Sequence, residues 1–228
     1  MRRLPLVVAL LLFAAPALGQ PPEPAMQLAA AVEAPTSADV AGTYEADHTA
    51  FRISSTGRNL VIRPAGQPAI DVLSARPGDA RLNIKAERLL KSAFAGDLDG
   101  LRAAAPPHRS EAASRDYGRY LQILTEEFGP VESIDVLGTT PPADDRAVTH
   151  VRVRFERGEE TVRLVWREGR LALLARGQTP RIAAYPVPHR DGRFAVLEAG
   201  EPVALLTFDG SRVVVRNAAA VLHAERTR

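Results

Sequence analysis

Five histidines, His48, His108, His150, His189 and His223, are the residues of this 228-residue chain best suited to proton transfer or metal ligation near neutral pH. They are scattered. No two stand at the i, i+4 spacing that puts paired ligands on one helical face, and no His-Glu-x-x-His occurs. The chain has no cysteine, which removes thiolate ligands, a thiol nucleophile and disulfides together. A serine nucleophile of the Ser-x-x-Lys type needs a lysine one helical turn on to take its proton. The two lysines, Lys85 and Lys91, are preceded at that distance by Leu82 and Arg88. Asp144-Asp145 lies in a Pro-rich loop without the alternating oxygen ligands of a calcium loop, and reads as a solvated turn. Asp116 is the acid a helix could carry as a base, but its place beside Arg115, off the apolar stripe, favours exposure. The residues thus predict no catalytic motif, no metal site and no cofactor.

The elements that would position any site are announced by glycine turns. Six X-Gly pairs, Thr56-Gly57, Arg157-Gly158, Glu168-Gly169, Asp191-Gly192, Ala199-Gly200 and Asp209-Gly210, separate alternating apolar runs. Placing each pair at the two central positions of a tight turn predicts a register. Ile53 then faces Leu60, Val153 faces Val162, and Trp166 faces Leu171. Val187 faces Val196, Val196 also faces Val203, and Leu206 faces Val213. Apolar meets apolar throughout, as one buried face requires.

Between these β segments the period changes to that of a helix. Ala86, Leu89, Leu90 and Ala93 share one face of a helix that Gly96 ends, and a short second helix covers Leu98 to Ala104. A third carries the stripe Tyr117, Tyr120, Leu121, Leu124 and Phe128 before Gly129-Pro130. Four strands follow, in VESIDVLGTT, THVRVRFER, TVRLVWRE and RLALLAR. Helices on one face of an antiparallel sheet make an α+β unit. Tyr117, Tyr120 and Trp166 would face one another between the third helix and the sheet, as a ligand pocket or as packed core.

If Val151, Val153, Val162, Leu164 and Trp166 point inward, then Arg152, Arg154, Arg163, Arg167 and Arg170 project from the opposite face. The predicted register sets Arg152 directly across from Arg163. Opposed like charges destabilise a sheet unless something neutral or acidic intervenes, and Asp135 on the preceding strand is the available acid. Arginine suits carboxylate and phosphate, so this face is the candidate surface for an anionic partner.

MRRLPLVVALLLFAAPALGQ joins a basic start, an apolar run and small residues before Gln20, the pattern of a secretory signal peptide cut near Gly19. The apolar run is too short to span a membrane, which takes about 20 residues. With Arg2 and Arg3 removed, 27 basic residues face 27 acidic ones, so bulk charge predicts neither nucleic acid nor an anionic membrane as partner. Residues 20–38, rich in Pro and Ala, read as an extended leader.

VAGTYEADHTAFRISSTGRNLVIRPAGQPAIDVL resembles the first half of the lipocalin-like accessory domain that follows the catalytic domain of β-lactamase-related serine hydrolases. Its pattern runs from a Gly-x-Tyr strand through a glycine hairpin to a final strand ending in Leu. RDGRFAVLEAGEPVALLTFDGSRVVV, with the closing HAER, is similar to the second half. The helix and strand order of the middle resembles the NTF2-like or cystatin-like cone fold. The resemblances imply two antiparallel half-barrels, residues 39–78 and 181–228, interrupted by an inserted domain over 79–180. Together with the signal peptide and the missing Ser-x-x-Lys, this reading expects an exported, periplasmic or secreted, non-catalytic module that associates with a cell-envelope hydrolase or binds a small hydrophobic or anionic ligand. The alternative is a small hydrolase or isomerase using a pocket Asp or His.

Overall fold

The computed structural model describes residues 39–143, 145–188, 190 and 192–227. The signal peptide expected over residues 1–19 and the leader over 20–38 lie outside them, as do Asp144, His189 and Asp191. Residues 39–65 form three strands, β1 (Gly42–Ala46), β2 (Thr49–Thr56) and β3 (Asn59–Ala65). On β2 and β3 the alternation puts Phe51, Ile53, Leu60 and Ile62 inside and Arg52 and Ser54 outside. Five further strands come from the far end of the chain: β8 (Ile182–Pro186), β9 (Arg193–Glu198), β10 (Glu201–Asp209), β11 (Arg212–Arg216) and β12 (Val221–Arg226). The eight close into one antiparallel barrel in the order β1-β12-β11-β10-β9-β8-β3-β2.

Two seams join the segments. At one, Leu60 faces Ala184 and Ile62 faces Ile182; at the other, Tyr44 faces Arg226. The second seam explains the Gly-x-Tyr and HAER stretches. A Cβ on Gly42 would lie 2.6 Å from the Arg226 side chain, so the glycine lets Arg226 cross the strand and donate to the Asp39 and Ala41 carbonyls. Tyr44 is fully buried. Its hydroxyl donates to the Val40 carbonyl at 3.0 Å, and its ring meets Phe208 edge-on at 5.8 Å, as Phe208 meets Phe194.

The strand expected to end at Leu73 is instead a helix, α1 (Gln67–Val72). Gly66, at φ 97°, turns the chain away from β3, and Pro68 suits the first helical turn. Ala69, Val72 and Leu73 then fall on one helical face and join the barrel core.

The middle of the chain contains α2 (Ala80–Phe94), α3 (Asp99–Ala104), a 3-10 turn (Pro107–Arg109) and α4 (Ser110–Phe128). These cover one face of a sheet ordered β4-β5-β6-β7, with β4 Val131–Ala143, β5 Arg146–Phe155, β6 Gly158–Arg167 and β7 Arg170–Arg176. Asp79 caps α2, its carboxylate accepting from the Arg81 amide at 3.0 Å. Leu82, Ala86, Leu90, Leu121 and Leu124 pack on Val151, Val153, Val162, Leu164 and Trp166.

All six expected hairpins form, with corrected registers. Glu168-Gly169 and Ala199-Gly200 occupy the expected central positions, with φ of 52° and 71°, and 51° and 88°. Both are followed by a β-bulge. In β7 the pairing passes from Trp166 with Leu171 to Val165 with Leu173, so Leu171 and Leu174 are buried while Leu173 is exposed. In β10 the bulge at Val203 puts Ala204 and Leu206 inside, opposite Val196 and Phe194. At Gly57 and Gly210 the glycine is the first central residue, moving pairings by two: Ile53 faces Ile62, and Leu206 faces Val215. The β5–β6 turn sits at Glu156-Arg157, so Val151 faces Val162 and Val153 faces Glu160. A shift of two keeps each side chain on its face. Between β8 and β9 the connection is longer than two residues, and Ala184 rather than Val187 faces Val196.

Candidate anion-binding face

Strand alternation carries the outer face of the sheet. With Val151, Val153 and Phe155 of β5 buried, Arg146, Val148, His150, Arg152 and Arg154 project the other way. On β6 the outer set is Glu159, Thr161, Arg163, Val165 and Arg167. The register arranges these in rows. Arg146 faces Arg167, which faces Arg170; Val148 faces Val165, which faces Leu173; His150 faces Arg163. Arg152 faces Asp135 and Thr161, and Arg154 faces Glu159.

The expected apposition of Arg152 and Arg163 does not occur, because the turn lies one residue earlier than the glycine suggested. The closest like-charge row is Arg146, Arg167 and Arg170. Both acids lie at the opposite end, where Asp135 forms an ion pair with Arg154 at 3.7 Å. Among the described residues, Arg146, Arg152, Arg163, Arg167 and Arg170 form no ion pair within 4 Å.

A cleft of about 560 Å³ opens on this face, lined by Thr140, Val148, His150, Arg163 and Gln178 among others. Gly177 sets one wall. Its amide donates to the Thr161 carbonyl at 2.8 Å, and a Cβ there would lie 3.1 Å from the Arg163 side chain. The next carbonyl, of Gln178, lies 3.1 Å from His150 Nδ1. A carbonyl can only accept, so Nδ1 carries the proton and the neutral ring keeps Nε2 as an acceptor.

Burial pushes the His150 imidazole down to about 4 from 6.5; the Arg163 charge works in the same direction, against the bond to Gln178. The unfolded chain therefore binds the proton that the folded chain refuses between these values. Stability contributed by this group is constant above about 6.5 and falls as pH drops toward 4. Melting temperatures of wild type and H150Q, followed from pH 7 to 4, are expected to converge on acidification; parallel curves would show that the ring is not excluded from protonation.

Of the three aromatic pocket candidates, Tyr117 and Trp166 sit in the core and Tyr120 packs half-buried against it. The Trp166 indole N–H donates to Thr149 Oγ1 at 2.8 Å, and Tyr117 donates to the carbonyl of Ala172, the bulge residue, at 3.1 Å. Trp166 is 1% and Tyr117 7% exposed. The Tyr120 hydroxyl is buried with no hydrogen-bond partner, and burial first, then the Glu160 charge, raises it to about 12. Arg176 stands nearby, paired with Glu127 at 2.5 Å and Glu160 at 3.2 Å.

Sequence reasoning found the arginines and missed the His150 cleft. Alternation in THVRVRF does place His150 on the arginine side, but its partner carbonyl comes from a loop with no pattern. The chain matches no protein-family model, no curated protein and no solved structure.

Proposed function

We propose that this chain is an exported binding module that engages carboxylate or phosphate groups of a cell-envelope partner through the outer face of its β4–β7 sheet. A separately encoded serine hydrolase is one partner of this kind. In this reading the barrel is lipocalin-like, and the unit from α2 to β7 is an NTF2-like insert. The observation that carries the binding role is that five arginines on one face, Arg146, Arg152, Arg163, Arg167 and Arg170, form no ion pair within 4 Å among the described residues. An isolated guanidinium in water needs no partner, but adjacent rows repel, and an anion bridging them converts that repulsion into charge-assisted hydrogen bonds. Since the chain without Arg2 and Arg3 is neutral overall, this is a local field.

The test is a double substitution, R152Q with R163Q, assayed for retention on poly-L-glutamate and on polyphosphate. Affinity is expected to fall about tenfold, ~1.4 kcal/mol, for at least one of them. The melting temperature should hold or rise as repulsion is relieved. A variant that is as stable or more stable, yet retained as tightly on both, would sink the proposal.

A further inference from the structure

The outside of a closed antiparallel barrel is expected to be polar, and β1 and β2 comply with Thr43, Glu45, Arg52 and Ser54. Strands β8, β9 and β10 do not. With Ala184, Phe194, Val196, Ala204 and Leu206 inside, their outward side chains include Ala183, Tyr185, Ala195, Leu197 and Leu205. Tyr185 and Leu197, each 41% exposed, lie on this one outer face, and it is apolar residues grouped on a face that call for a partner. Two clefts open on this face. One, of about 420 Å³, lies against Pro141 and Pro142 at the end of β4 and is lined by Tyr185 and Leu197. The other, of about 580 Å³, lies over Ala195, Val203 and Leu205 beside Ala218 and Ala219. Segment 73–76 borders both, through Leu73 and Arg76 in the first and Ala75 in the second.

We propose that this face docks an apolar segment of a partner protein that carries several carboxylates. The charge at the clefts decides the chemistry. Arg76 and Arg181 line the first cleft and Arg216 the second, and none has an ion pair among the described residues. Glu198 is the one acid among the lining residues, and it accepts from the Ala75 amide at 3.2 Å. Cationic points in both clefts need carboxylates spaced along the occupant. A fatty acid has one carboxylate at one end and leaves a cleft unmatched, whereas a peptide distributes them. A second copy of this chain is disfavoured because the face is basic and would meet itself. The barrel is closed, so no strand edge is offered, and recognition rests on side chains.

The test uses the full chain and a fluorescein-labelled peptide of leucine and glutamate in equal numbers, with a lysine-for-glutamate peptide and palmitate as rivals. The leucine–glutamate peptide is expected to bind. Affinity should fall about tenfold in Y185S/L197S and again in R76Q/R216Q, and R152Q/R163Q should leave it unchanged. All of these positions are outward-facing, and melting curves establish that each variant is folded. Equal binding of the lysine peptide overturns the charge argument. Palmitate binding without peptide binding, or self-association in sedimentation abolished by Y185S/L197S, assigns the face to another occupant. Loss of peptide binding in R152Q/R163Q moves the site to the sheet and separates failure here from failure of the sheet proposal.

Discussion

Replacing Trp166 by alanine is expected to destabilise the protein by about 3–5 kcal/mol, read from the urea midpoint at unchanged slope. The ring is 1% exposed and packed in the core beneath α2 and α4. Its removal leaves a cavity that backbone held in a four-stranded sheet cannot close. It also withdraws the N–H donated to Thr149 Oγ1, which is itself 2.6 Å from Thr139 Oγ1. The Lys85 ammonium, 5.1 Å above the ring, loses its π partner while keeping the Gly169 carbonyl at 2.8 Å. W166F separates these effects. It retains most of the volume and loses the donor, so about 1–2 kcal/mol is expected. A loss below about 1 kcal/mol for W166A would mean that the ring walls a solvent-filled pocket, restoring the ligand site that Tyr117, Tyr120 and Trp166 suggested in sequence.

Gly78 is the second position of high cost. A Cβ there would lie 2.0 Å from the Thr139 carbonyl oxygen and 2.6 Å from Gln67 Nε2. Neither can yield cheaply. Gln67 Nε2 donates to the Thr139 carbonyl at 2.9 Å and to Asp71 Oδ1 at 2.7 Å, while the Thr139 amide and Asn83 Nδ2 both donate to Gln67 Oε1 at 2.8 Å. The Gly78 amide itself donates to Asp71 Oδ1 at 2.8 Å. This knot joins α1, α2 and β4, so forcing it apart leaves several half-buried polar groups unpaired at once. G78A is expected to cost about 3 kcal/mol, the upper end for overpacking. G210A is the comparison. Its Cβ meets nothing within 4 Å, and only the backbone at φ 55° resists, so about 1 kcal/mol is expected in thermal unfolding. Equal losses would show that position 78 is governed by backbone freedom and not by the contact with Thr139.

The positions of these two residues illustrate what pattern alone can reach. Trp166 was assigned to the inner face by alternation with Val162 and Leu164, and it lies there. Gly78 carried no signal. The atom it must avoid is 61 residues away in sequence, at Thr139, and a clash of that kind exists only after folding. The turns show the same division. Glycine marked the six expected hairpins but not those joining β1 to β2, β4 to β5 and β11 to β12, and the place it would take in each marked turn was not legible. The bulges at Ala172 and Val203 were invisible because an extra residue in one strand leaves its apolar run intact and only changes which leucine or alanine is buried.

By itself the sequence determined where six of the hairpins lie, the helical middle and the buried side of β5 and β6. Those follow from local period, which acts over a few residues and survives a register shift of two. Tertiary structure decided that residues 42–65 and 182–226 close one barrel, that QPAIDV caps it as a helix, and that Arg152 meets Thr161 while His150 meets Arg163. Each of these depends on which distant backbone lies alongside. That choice is made by the burial of whole faces against one another, a free energy no single segment contains.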